Sequence, residues 1–346
     1  MKAAVLYKPE DIRVEQRDIP AIGDSDILLK VKACALCGTD IRIYRGTKTK
    51  GIRYPSVIGH EIAGIVDRCG SAVAGYSAGD PVTVCPVIPC GVCYACRRGM
   101  ANLCMNRTAI GYEFDGGFQE YVRIPETAIR QGCVFKTPPE LPFEVSALIE
   151  PLACCYNGNR RSRIMIGDIV TIMGAGPIGL MHLQLARLSG AEKIIMSDPI
   201  AGRRALAEEL GADRVVDPKT EDLTGIVMEE SSGLGADAAI LAIGAPALVN
   251  EAFRLTRKQG TVNLFAGFPG KGESVFESNL VHYNELNVTG TASAAPKHFD
   301  EAMRLAASGK VNLEKLISHR FSLEEINQAI EVLIEGNGIK VLIGQE

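Results

Sequence analysis

The sequence predicts an α/β protein in two parts, a β-rich stretch followed by a doubly wound parallel sheet. Three features carry that expectation. Residues 1–155 are rich in Val and Ile runs broken by Gly and Pro, as in Ile27 to Ala33, Ile62 to Asp67 and Asp80 to Val84. From Asp168 short apolar runs alternate with helical patterns. Where that alternation begins, a Gly-x-Gly-x-x-Gly turn stands between a strand-like run and a helix-like one.

That turn reads IVTIMGAGPIGLMHLQLARLSGAEKIIMSD from Ile169 to Asp198. Ile169 to Met173 suits a buried parallel strand. Gly174 allows the tight turn, Gly176 lets the backbone approach a pyrophosphate, and Gly179 lets the next helix lie close to the strand. The helix N-terminus then offers unpaired N–H groups to phosphates. Asp198 ends the following strand, Ile194 to Ser197, where a carboxylate binds the adenosine ribose hydroxyls, so the stretch predicts a dinucleotide site. An acid there favours NAD over NADP, a preference tempered by Arg203.

The alternation continues through Ala201 to Leu210, Arg214 to Val216, Glu221 to Ser231, Ala238 to Leu241, Ala247 to Leu255, Thr261 to Phe265 and Leu286 to Thr289. Six short strands with intervening helices fit one doubly wound sheet. After Gly290 come two helical patterns, Pro296 to Ala307 and Leu323 to Glu335, and a last strand, Lys340 to Ile343. These are too few for a third domain and are assigned back to the first. The expected division is therefore 1–155 with 291–346, and 156–290.

At 346 residues and 47% hydrophobic, the chain can bury two cores. Its 37 basic and 41 acidic residues are interspersed, with net charge −4, which points to neither nucleic acid nor an anionic membrane as partner. The N-terminus lacks a signal-type apolar core, and the longest apolar window is broken by the motif glycines, so the expectation is a soluble, cytoplasmic protein. Eleven cysteines, an odd count in a large chain, argue for reduced thiols with the clustered ones serving metal.

Cys90, Cys93, Cys96 and Cys104 form C-x2-C-x2-C-x7-C in a Gly- and Pro-containing loop at about 85–105. Four thiolates so spaced close a tetrahedron around a structural Zn²⁺; an iron–sulfur cluster is the alternative, less favoured because nothing else suggests electron transfer. A second set is dispersed: Cys37 in CGTD, His60 and Glu61 in GHE, and Glu150 in IEP. Gly59 and Pro151 suggest fixed turns that aim these side chains inward. One thiolate, one imidazole and a carboxylate make a three-ligand zinc site with a fourth position open for water or an alcohol. Counting charge, one glutamate is expected to bind directly and the other through water.

With those motifs in order, together with DGGFQEYV at 115–122 and GAGPIG at 174–179, the sequence resembles the zinc-dependent medium-chain alcohol dehydrogenase family, especially its polyol (sorbitol-type), threonine and galactitol-phosphate branch. The likeness spans nearly the whole chain. It implies a GroES-like β-rich catalytic domain, a Rossmann NAD-binding domain inserted before its final segment, and an active site in the cleft between them. It also implies that Gly174, Gly176, Pro177, Ile178, Gly179, Asp198 and Arg203 contact NAD, and that the protein is a homodimer or homotetramer.

In that chemistry Zn²⁺ acts as a Lewis acid on an alcohol and NAD takes the hydride. Thr39, two residues after Cys37, is placed to accept a hydrogen bond from the substrate hydroxyl; Glu150 would modulate the metal. Arg42 stands where the threonine branch has a histidine, and Ser293 and Ala294 where sorbitol-type enzymes have an Arg-Tyr pair. Arg42 and Arg45 could meet an anionic group. The expected substrate is a small secondary alcohol of a polyol or sugar derivative. Alternatives are a threonine 3-dehydrogenase-like or phosphorylated-polyol enzyme, and a non-enzymatic NAD-binding redox sensor using Cys34, Cys154 or Cys155.

Overall fold

The structure is a computed structural model and describes residues 1–268, 270 and 272–344. The chain forms two compact units, Met1–Ala153 with Ser293–Glu346, and Cys154–Ala292.

The first unit is built on Ile27–Ala35, nine residues buried along almost their whole length. Its β-branched and small side chains suit a strand covered on both faces. Glu61–Cys69 pairs with it antiparallel, Ala35 opposite Glu61 and Ala33 opposite Ala63. Lys340–Gly344 pairs with it antiparallel as well, Leu342 opposite Ala35. Pro81–Val84, Val134–Lys136, Tyr121–Ile124 and Ile317–Phe321 complete a seven-stranded sheet. Ala33 and Ala63 carry little bulk, which lets Ala147 of the short helix Phe143–Ala147 pack onto them. A three-stranded sheet of Asp11–Gln16, Lys2–Lys8 and Ser56–Val57 lies in the same unit.

In the second unit six strands run in parallel in the order Arg214–Val216, Lys193–Ser197, Ile169–Met173, Ala236–Leu241, Thr256–Leu264 and Asn287–Gly290. This is the doubly wound α/β sheet predicted, with Ile169–Met173 at its centre and the strand order reversing beside it. Leu241, Phe253, Val262 and Leu255 are among its buried core. Thr256–Leu264 starts earlier than the expected Thr261, because Thr256 also pairs with Ala236 and the exposed Lys258 and Gln259 hide the strand in a polar stretch. Helix Ser278–Asn284 was not anticipated; none of its residues is fully buried, so no apolar stripe announces it. The pattern Leu323 to Glu335 resolves into a 3₁₀ turn, Leu323–Glu325, capped by Ser322, and a helix Ile326–Ile334. Among the described residues no helix is long and apolar enough to cross a membrane.

Candidate active site

Cys37 is the N-cap of helix Gly38–Tyr44, and the cap organises the site. Thr39 N–H points at Cys37 Sγ at 3.5 Å, and Asp40 Oδ2 accepts the Cys37 N–H at 2.9 Å, closing a capping box. The other oxygen of Asp40, a side chain 1% exposed, accepts from His60 Nδ1 at 3.1 Å. That bond turns Nε2 toward Cys37, the arrangement in which a carboxylate orients a metal-binding imidazole. Burial alone would push His60 down, but the Asp40 charge, the neighbouring Tyr112 and hydrogen bonds to Asp40 and Cys37 leave it well above the usual histidine range. The site is therefore electronegative enough to welcome a cation.

Donor atoms of Cys37, His60 and Glu61 all lie within 4.8 Å of one another. Glu61 is fully buried and forms an ion pair with Lys340, while its Oε1 has no hydrogen-bond donor among the described residues. Burial and the neighbouring Glu150 raise the Glu61 carboxyl to about 7, against the lowering pull of Lys340 and His60. A buried carboxylate with an unserved oxygen beside a thiol and an imidazole fits a divalent ion, whose charge would supply what water cannot. Glu150 is buried and close enough for its charge to act on Glu61, yet it is not among the three donors that converge. The expected turn at Glu150 is instead the start of helix Ile149–Ser162, where Pro151 is tolerated because first-turn N–H groups have no intrahelical partner.

Asp40 and Lys340 were not singled out from the sequence. Asp40 is the last letter of CGTD. Lys340 opens an otherwise apolar strand, a buried-cation signal; its ammonium also donates to Leu36 O at 3.0 Å. Tyr112, edge-on to His60 with ring centroids 5.6 Å apart, is a third neighbour missed. Its phenol is pushed up to about 12 by burial, with the charges of Cys37, Asp40 and Glu150 adding to the rise.

Cys90, Cys93, Cys96 and Cys104 also gather within 4.8 Å. Cys93 Sγ stands 3.5 Å from Cys96 Sγ and 3.8 Å from Cys104 Sγ. A tetrahedron with metal–sulfur bonds of about 2.3 Å has edges of about 3.8 Å, so the four sulfurs fit one zinc. Backbone N–H groups of Cys96 and Met105 lower Cys93 to about 6, whereas burial and its thiol neighbours raise Cys96 to about 12. These are the structural zinc site and, at Cys37, His60 and Glu61, the catalytic one. None of the eleven cysteines is in a disulfide, and Cys34 and Cys155 are fully buried.

In the second unit Gly174 has φ +103, and a Cβ on Gly179 would fall 1.8 Å from Gly174 O, so no other residue fits there. A Cβ on Gly176 would come no closer to the protein than Arg203 Nη1, at 4.0 Å. That open space faces the N-terminus of helix Pro177–Leu188, which Pro177 and Ile178 begin. Asp198, almost fully buried, accepts from Ala175 N at 2.8 Å and Ile200 N at 2.9 Å, and Arg203 Nη1 lies 3.9 Å from it. Turn, acid and arginine thus come together beside the start of that helix, whose first N–H groups lack intrahelical partners and suit a phosphate.

Zinc, when bound, supplies a Lewis acid, and NAD an acceptor for hydride. Toward that chemistry the chain contributes an oriented imidazole, a thiolate, and a half-buried hydroxyl at Thr39, whose Oγ1 accepts from Arg42 Nη2 at 2.9 Å.

Comparison with known proteins agrees with this geometry. Residues 23–138 match the alcohol dehydrogenase GroES-like domain and residues 177–308 the zinc-binding dehydrogenase family. The chain is 36% identical to L-threonine 3-dehydrogenase of Pyrococcus furiosus, over 99% of this chain and 98% of that one. It is 35% identical to D-arabitol-phosphate dehydrogenase of Enterococcus avium, over 94% and 91%. A zinc-binding dehydrogenase from Sinorhizobium meliloti bound to NADP superposes with a TM-score of 0.93 at 37% identity, covering 99% of each chain. With two converged thiolate-bearing metal sites, a glycine turn and relatives matched end to end, the chain belongs to the zinc-dependent medium-chain alcohol dehydrogenase family, enzymes that oxidise a CH–OH group with zinc and NAD.

Proposed function

We propose that this enzyme oxidises a secondary alcohol of a polyol or sugar-derived substrate with NAD⁺. The observation that carries the reading is the convergence of Cys37, His60 and Glu61, oriented by Asp40. The substrate carbon loses hydride to NAD⁺ with both C–H electrons, its hydroxyl loses a proton, and a ketone forms. Thr39 Oγ1 receives the hydroxyl's hydrogen bond. Its proton leaves to solvent, because Arg42 holds Thr39 as a donor and a guanidinium has no site to take a proton. Glu150 tunes the charge at Glu61 from outside the donor triad.

Gly174, Gly176, Pro177, Ile178 and Gly179 hold the pyrophosphate, and Asp198 the adenosine ribose, which favours NAD⁺ over NADP⁺. Arg203 beside Asp198, and the NADP on the Sinorhizobium relative, make the cofactor choice worth direct measurement. The relatives named for L-threonine and D-arabitol phosphate both act on small polar alcohols, which supports the substrate class without selecting a member. A homo-oligomer is supported by the sheet edge Asn287–Gly290, which bears the exposed Val288 and pairs with a strand on one side alone among the described residues.

The test is Cys37→Ser with zinc analysis and NADH absorbance over a panel of polyols, aldonates and polyol phosphates. Zinc content falling from about two to about one per chain, with turnover lost, is expected. Full turnover in that variant ends the proposal.

A further inference from the structure

Three cations act on one ammonium near the catalytic zinc ligands. Lys48, half-buried, lies with Nζ 4.0 Å from the centroid of the Tyr112 ring, and that ring meets His60 edge-on. One aromatic ring therefore separates the ammonium from a metal ligand. The Lys48 N–H donates to Arg42 O at 3.0 Å, folding the loop back on helix Gly38–Tyr44. Arg42 is exposed and holds Thr39, two residues from Cys37. Burial and the positive charges of Arg107, Arg42 and Lys50 disfavour a charged Lys48, and Glu113 opposes them. Like charges beside a half-buried ammonium favour an anion that neutralises them.

From this we infer that the substrate alcohol carries an anionic oxygen group, carboxylate or phosphate, which Lys48 and Arg42 bind while the hydroxyl meets Thr39. The inference rests on the dehydrogenase reading above and narrows its substrate class. The cofactor's pyrophosphate is the other anion to consider, but it has its own cradle in the N–H groups after Gly176. The Lys48 cluster instead reaches Thr39 through Arg42, and Tyr112, whose ring meets His60. A Lys ammonium and an Arg fork together suit an oxyanion of either geometry.

The experiment compares the zinc-loaded enzyme on a hexitol, the matching hexonate and the matching hexitol phosphate, in wild type, Lys48→Gln and Lys48→Arg. An anionic member should exceed the hexitol in kcat/KM by about tenfold or more, the scale of one desolvated charge contact. Lys48→Gln should bring that ratio toward unity and Lys48→Arg should restore most of it. Inorganic phosphate should inhibit competitively against the alcohol, and calorimetry should find its binding weakened in Lys48→Gln. Whichever anionic member prevails distinguishes carboxylate from phosphate. A hexitol equal to its anionic partners, a ratio unmoved by Lys48→Gln, or phosphate competing with NAD⁺ instead of alcohol overturns the inference and leaves the dehydrogenase reading standing. Oxidation of none of the three, or of any alcohol, removes the dehydrogenase reading; phosphate binding unaffected by Lys48→Gln then removes the inference too.

Discussion

Replacing Lys340 by Met probes the least obvious part of the catalytic metal site. Its ammonium is 4% exposed and its partner Glu61 carboxylate 0%, so each is the other's main substitute for water. Removing one member of such a pair strands a buried charge, which costs about 3–5 kcal/mol. In a unit of this size that corresponds to a fall in melting temperature of roughly 10 °C. The fall should be largest in chelator-treated protein and smaller with zinc bound, since the metal then supplies positive charge beside Glu61. Glu61→Gln combined with Lys340→Met should recover much of the loss, giving a favourable coupling in a double-mutant cycle. The assay is thermal unfolding followed by circular dichroism, with and without zinc. A zinc-free Lys340→Met protein melting within about 2 °C of wild type, below the shift expected for even 1 kcal/mol, would refute the ion-pair argument.

Asp40→Asn should keep the fold but loosen the orientation of His60, lowering zinc affinity about 10- to 100-fold in competition with a chelator; unchanged affinity would mean His60 is held by other contacts. Gly179→Ala forces a Cβ to within 1.8 Å of Gly174 O, so quenching of NADH fluorescence on binding should be lost or strongly weakened, and normal affinity would show that the turn is not the cradle. His182 is fully buried against Phe265 with neither ring nitrogen hydrogen-bonded among the described residues, and burial pushes it down to about 3. The unfolded chain therefore binds this proton first as acid is added, so stability present above about pH 6.5 is lost as pH falls toward 3, amounting to about 2 kcal/mol by pH 5. His182→Leu should flatten that part of the stability profile relative to wild type, and two parallel profiles would exclude this histidine as the cause.

Local sequence rules reach a long way here. Ile169 to Met173, the glycines and Asp198 follow one another within a single strand–turn–helix–strand, so spacing alone announces their arrangement, and the structure has the acid accepting the Ala175 N–H inside the turn. The cysteines at 90, 93, 96 and 104 are likewise close in sequence, and their spacing reads directly as a closed tetrahedron. What local pattern hid were elements without contrast: helix Ser278–Asn284, with no fully buried face, and the polar opening of Thr256–Leu264. Pro151, read as marking a turn, sits instead in the first turn of a helix, a position proline tolerates as well.

The catalytic metal site divides along the same line. Residue types in CGTD and GHE name a thiolate, an imidazole and a carboxylate, and the capping box tying Cys37 to Asp40 is local to one helix start. Their meeting is decided by strand register. Glu61–Cys69 and Lys340–Gly344 both pair antiparallel with Ile27–Ala35, Ala35 facing Glu61 in one and Leu342 in the other. That register carries His60, Glu61 and Lys340 to the end of the strand from which Cys37 emerges. A shift of one residue would turn every side chain to the opposite face. Composition and spacing therefore determined which atoms this protein has for binding metal and cofactor. Only the pairing of distant strands, set by burial of both sheet faces, decided that a lysine near residue 340 would neutralise a glutamate at residue 61.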